Sequence, residues 1–185
     1  MSVDSTRGKL LVALPALGDP NFDRTVVYMI EHNDEGAFGL VLNRPSESAL
    51  FDALVAWNDL LARPTVVFGG GPVQPEAFVG LAEVDEGDSD GAWANVGFGL
   101  GTVDLSVDPD AVRGRLGRLR IFHGYSGWGA DQLEQELDAD AWLVLSAELD
   151  DVFSAAPEEL WRAVLRRQAG RTSWLADFPD DLAAN

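Results

Sequence analysis

The chain has 185 residues, a formal net charge of −18, 46% hydrophobic and 24% charged residues, and no cysteine. That size fits one domain whose interior is large enough to fold without a disulfide or a metal. The composition excludes a fibrous protein, a disulfide scaffold and a basic nucleic-acid module, and the evenly spread acids leave no basic arm or acidic tail.

A field of this sign repels phosphate backbones and anionic lipid, so neither nonspecific nucleic acid nor a membrane is expected as a partner. Arg7 and Lys9 before the apolar run Leu10–Leu14 imitate a signal peptide, but the run is short and Pro15 interrupts it. A buried strand over Lys9–Leu14 is the expectation. No apolar stretch approaches the roughly 20 residues that span a bilayer, and a cytoplasmic protein is expected.

After a turn-rich segment from Pro15 to Asn21, the β-branched run Thr25–Ile30 predicts a strand. Asn33-Asp34-Glu35-Gly36 supplies a hairpin turn into Ala37–Leu42, and Asn43-Arg44-Pro45 ends the hairpin. From Ser48 to Leu61 apolar residues recur at helical spacing up to Pro64. Thr65–Phe68 reads as a third strand and Phe78–Val84 as a fourth, with Gly69-Gly70-Gly71-Pro72 between them. Asp85–Gly91 is a surface loop, and the glycines of Trp93–Leu105 predict bent or bulged strands. Asp108-Pro109 signals a helix start. Leu119–Phe122 is a short strand feeding the glycine-dense turn Gly124–Gly129, and a short helix follows with Leu133 and Leu137 on one face. Trp142–Leu145 is a further strand, and Pro157–Ala169 a helix that Gly170 closes.

Strands come early, and helices fall between and after them without regular alternation. The pattern predicts an α+β fold with a mixed, strongly bent sheet and about four flanking helices. A single domain over residues 8–170 is expected, followed by a C-terminal tail over 171–185.

The richest candidate site is the strand, turn and helix of Leu119–Leu137, because a glycine-dense turn opening a helix presents free N–H groups to an anion. Gly127-x-Gly129 is half of a dinucleotide fingerprint, with Gln132 where the third glycine belongs. Gly124-x-Ser126 begins a nucleophile elbow, but Trp128 holds its closing position. The glycines serve equally well as packing devices around Tyr125 and Trp128. His32 and His123 both end strands, where they could line a cleft or serve as bonded structural residues. No metal-ligand spacing links them, and no metal or cofactor is expected. Glu86–Gly91 starts like a calcium loop but has Gly97 at the twelfth position, so it reads as a solvated acidic turn. The arginines Arg113, Arg115, Arg118, Arg120 and Arg162, Arg166, Arg167, Arg171 form two groups. Each either follows a helix and complements its C-terminal dipole or forms an anion-binding face.

Several motifs then converge. Gly8-Lys9-Leu10-Leu11-Val12-Ala13, Asp19-Pro20-Asn21-Phe22, Glu31-His32-Asn33, Gly36 through Pro45, Gly70-Gly71-Pro72-Val73 and Gly124-Tyr125-Ser126-Gly127-Trp128 resemble the YqgE/AlgH family. The run from Gln132 to Leu137 and the Phe153–Gly170 helix extend the resemblance over nearly the whole chain. The resemblance implies an α+β fold with bifurcated, coiled sheets and the label of a transcriptional regulator. It supplies no enzymatic activity, cofactor or catalytic residues. Its motif positions His32, Asn33, Asn43, Arg44, Ser126 and Trp128, together with His123 and Gly127, are the ligand-binding candidates. The expectation is a regulatory or binding protein that takes a protein partner or a small anionic ligand near Arg44, His123 and Gly127. The alternative is a hydrolase using His123 or Ser126.

Overall fold

The computed structural model describes residues 5–14, 17–46, 52–85 and 91–179. The expected helix start at Ser48 and most of the acidic loop at Asp85–Gly91 lie outside them. Nine strands form one strongly curled, half-barrel sheet: β1 Lys9–Ala13, β2 Val26–Asn33, β3 Gly36–Val41, β4 Phe68–Gly69, β5 Val73–Val84, β6 Trp93–Gly97, β7 Leu100–Val103, β8 Leu116–Gly129 and β9 Trp142–Ser146. Eight of them run in the order β6-β7-β5-β8-β3-β2-β1-β9. Their pairings are antiparallel, and β4 lies parallel to β8, so the sheet is mixed through one short strand.

The apolar run of β1 has no polar alternation because both of its faces are covered. Leu10 and Val12 turn into the concave face with Tyr28, Leu40, Phe122 and Leu145, under Trp161 and Val164. Leu11 and Ala13 point the other way, into a second cluster with Val27, Trp128, Leu133 and Trp142. A third cluster covers the β5, β7 and β8 half with Leu54, Trp57 and Val112. The inside of the half-barrel is therefore a packed core.

Helices are shorter than the periodicity predicts. They are α1 Pro109–Val112, α2 Gln132–Asp138, α3 Leu149–Val152 and α4 Leu160–Arg166. The helix expected up to Leu61 is a 3-10 helix over Asp52–Leu60, and Pro157–Glu159 is a 3-10 turn leading into α4. About four flanking helices is thus only a loose description. The helix start at Asp108 is built as expected, its carboxylate accepting from the Asp110 N–H at 3.0 Å. Beyond Gly170, residues through Phe178 fold back, and Leu175, Ala176 and Phe178 pack on the concave core.

The largest departure from the sequence pattern is β8. The glycine-dense segment Gly124–Gly129 continues the strand, and no turn opens a helix there. Residues 116–125 of β8 pair with β5, and residues 126–129 pair with β3. Where those partners part, β4 enters the fork. The Gly69 N–H donates to Arg44 O at 2.8 Å and the Gly70 N–H to His123 O at 2.9 Å, while Gly70 O accepts from the Val41 N–H at 2.9 Å. Backbones approach so closely here that a methyl group at Gly70 would lie 2.4 Å from Gly124 O.

Candidate anion-binding site

Each candidate residue has a definite place. His32, near the end of β2, is buried, and its Nδ1 accepts from the Thr6 N–H at 3.1 Å. A backbone N–H can only donate, so Nδ1 is bare and the proton sits on Nε2, 2.8 Å from the Glu134 carboxylate. Asn33 ends β2 beside the β2–β3 turn, its Oδ1 accepting from the Glu35 N–H at 2.9 Å. Asn43 is buried and pins two segments: its Oδ1 accepts from the Val26 N–H at 2.9 Å and its Nδ2 donates to Arg24 O at 2.8 Å. These three side chains hold the fold's own backbone and neighbours.

Ser126 is fully buried, and its hydroxyl donates to Gly70 O at 3.1 Å inside the fork. Trp128 is buried as well. Its indole N–H donates to the Glu136 carboxylate at 2.9 Å, which also accepts from Trp142 at 2.7 Å. Gly127 is exposed but has no special backbone need, since an added methyl group would approach only side chains, the Tyr125 ring at 3.4 Å and Val73 at 3.8 Å. The glycine that requires its freedom is Gly124, with φ +66° and Gly71 O 2.4 Å from where a methyl group would sit.

Two candidates meet on the surface. Arg44 and His123 flank Gly69: a methyl group there would lie 3.6 Å from His123 Nε2 and 3.8 Å from Arg44 Cβ. The missing side chain leaves a shallow gap between them. The His123 ring is partly exposed and makes no hydrogen bond to a described residue. Arg44 is solvent-accessible and turns its guanidinium toward Asp23 O and, at 3.4 Å, toward Asn43 O. Neighbouring protein strips part of its hydration and pushes its pKa down, while the Asp23 carboxylate opposes that shift. Beside Asp23 opens a cleft of about 340 Å³ lined by Leu14, Leu17, Gly18, Asp19 and Pro20.

Several members of the two arginine groups are paired with acids. Arg113 pairs with Asp110 at 3.0 Å, Arg118 with Glu83 and Asp150 at 2.7 Å each, and Arg167 with Asp151 at 2.7 Å. Arg118 and Arg120 lie on β8, so the first group does not follow a helix as a unit. Arg120 is buried without a carboxylate, held by the carbonyls of Arg63, Val152 and Ser154 at 2.9–3.0 Å and by the Phe68 ring. Burial pushes its pKa down to about 10. Nothing in its sequence neighbourhood distinguishes it from Arg118. Among the described residues no group of three or more His, Asp or Glu side chains is placed to hold a metal.

Comparison with known proteins agrees with this architecture. The sequence profile described as AlgH-like matches residues 10–173. The chain belongs to the AlgH-like family. A UPF0301 protein of Streptomyces avermitilis is 49% identical over 187 residues, covering 99% of this chain and 97% of its own. One from Thermobifida fusca is 45% identical, covering 98% and 96%. Among solved structures, protein DIP2367 of Corynebacterium diphtheriae superposes with a TM-score of 0.85 at 27% identity, covering 95% of this chain and 94% of that one. The solution structure of AlgH from Pseudomonas aeruginosa matches with a TM-score of 0.70 at 33% identity, covering 98% of each chain.

Proposed function

We propose that this protein is a non-catalytic, regulatory binding protein of the cytoplasm, and that an anionic group docks where Arg44 and His123 flank Gly69. The observation that carries this reading is the unbonded His123 ring beside a glycine gap, with a guanidinium on the other side. Arg44 need only turn away from Asp23 to supply bidentate, charge-assisted hydrogen bonds to a carboxylate or phosphate. The anion belongs to a small molecule or to an acidic segment of a partner protein.

Hydrolysis has less support. Ser126 is buried and its proton is engaged with Gly70 O, and neither histidine is bonded to it. A nucleophilic serine requires an adjacent base.

Titration with inorganic phosphate, followed through the His123 imidazole resonances, tests the site. Saturable shifts are expected, weakened about tenfold or more in Arg44→Ala, in line with the loss of a charged hydrogen bond. Equal shifts in the parent and in Arg44→Ala would overturn the proposed site. A fluorophosphonate adduct on Ser126, absent from Ser126→Ala, would establish the hydrolase instead.

A further inference from the structure

Two of the large hydrophobic side chains left exposed, Phe98 at 62% and Leu149 at 38%, border the same crevice. It shares no lining residue with the Arg44 gap and lies where the β6–β7 hairpin tip reaches across to Gly8, just before β1, and the segment after β9. The tip is unusual: Gly97, Phe98 and Gly99 all have positive φ, at +87°, +59° and +73°. Phenylalanine rarely adopts that region, and such an outlier is a pointer to function. The conformation lays the Phe98 ring over Gly8, where any added side chain would collide with it at 2.1 Å. Arg7 holds the tip in place, donating to Val96 O at 2.9 Å and to Ile30 O at 3.3 Å.

Beneath the ring the crevice measures about 60 Å³, walled by Leu100, Ala147, Leu149 and Val152. Tyr28 lines it from β2. That side chain is 2% exposed, and its hydroxyl makes no hydrogen bond to any described residue. Burial pushes its pKa up to about 12, so it remains a neutral donor at physiological pH. Glu148 and Arg7, at the rim, carry opposite charges. The hydroxyl keeps a little contact with solvent, so an acceptor oxygen of a guest can replace water on it, and an apolar wall rejects a charged guest.

We propose that this crevice is a binding site for a small neutral group with one oxygen acceptor, such as a short-chain ketone, seated on the Tyr28 hydroxyl and covered by Phe98. The volume suits only a handful of heavy atoms, since a cavity of about 150 Å³ is what a benzene ring fills. The two glycines beside Phe98 supply the freedom for the ring to swing aside.

Amide NMR of the full chain titrated with 2-butanone, and separately with cyclohexanone, tests the assignment. Butanone is expected to give saturable shifts at Gly8, Leu100 and Leu149 with an affinity on the order of millimolar, given its five heavy atoms. Tyr28→Phe preserves the ring and should weaken binding about fivefold, the loss of one neutral hydrogen bond. Phe98→Ala, a surface change, should retain butanone and admit cyclohexanone, which the parent excludes. The proposal is overturned if butanone gives no saturable shift, which would mean that solvent satisfies the hydroxyl. Equal binding by Tyr28→Phe, or cyclohexanone binding equally to the parent and Phe98→Ala, would overturn it as well.

Discussion

Glu83 and Arg118 form the best-made ion pair of the molecule. One carboxylate oxygen accepts from the Arg118 N–H at 3.0 Å and from Nε at 3.1 Å, and the other from Nη2 at 2.7 Å. These bonds hold the Glu83 carboxyl below its ordinary value of 4.5, against a smaller opposing effect of burial. A carboxyl whose folded pKa is depressed stabilises the fold above its unfolded pKa, and that contribution disappears as pH falls through the folded value. Glu83→Gln should therefore lower stability at neutral pH and flatten its dependence on pH below 4.5. Both side chains are partly exposed, so the effect is about 1 kcal/mol or less. Urea unfolding at pH 7 and pH 3.5 measures it; a difference between parent and variant that is the same at both values would show that the pair does not titrate with folding.

Among the elements, β8 decides most about the molecule, because it serves β5, β4 and β3 in succession. Two of its glycines separate backbone need from mere absence of a side chain. Gly124→Ala places a methyl group 2.4 Å from Gly71 O on a left-handed backbone. It should destabilise by about 2 kcal/mol or more, since strain and a steric clash with backbone add together. Gly127→Ala meets only the Tyr125 and Val73 side chains at ordinary contact distance and should change stability by about 0.5 kcal/mol or less. Thermal unfolding of the two variants distinguishes them. Equal losses would mean that the fork tolerates displacement or that the β8 edge at Gly127 is tighter than its surroundings suggest. The sequence pattern does not separate the two glycines, because the close approach of Gly71 to β8 is invisible along the chain.

At the scale of the whole molecule, the charge of −18 outweighs any local basic feature. Of the two arginine groups, Arg113, Arg118 and Arg167 are engaged with Asp110, Glu83, Asp150 and Asp151, and Arg120 is buried with carbonyls. Random-sequence duplex DNA should accordingly show no binding at micromolar protein and physiological salt, because affinity for the phosphate backbone arises from cations that displace counterions. A mobility-shift titration checks this, and a retarded complex at micromolar protein would contradict it. The described residues contain no helix long and apolar enough to cross a membrane.

The sequence by itself determined the class of the fold, the strand β1, the β2–β3 hairpin, the Asp108 helix start and the family. These are written in local signals: continuous apolar runs, turn residues and a capping pair act over a few positions. It also marked Arg44 and His123 as candidates. Only the tertiary structure decided which candidates have their polar atoms engaged deep in the fold. His32, Asn43, Ser126 and Trp128 are indistinguishable from ligand-binding residues in the chain, yet their polar atoms are taken by Thr6, Val26, Gly70 and Glu136 across separations from 8 to 56 residues. Arg44 and His123 come together because β4 wedges between the strand end that carries one and the strand that carries the other. The hydroxyl of Tyr28 has no sequence signal at all, since whether a donor finds a protein partner depends on packing from Gly8, β7 and α3 at once.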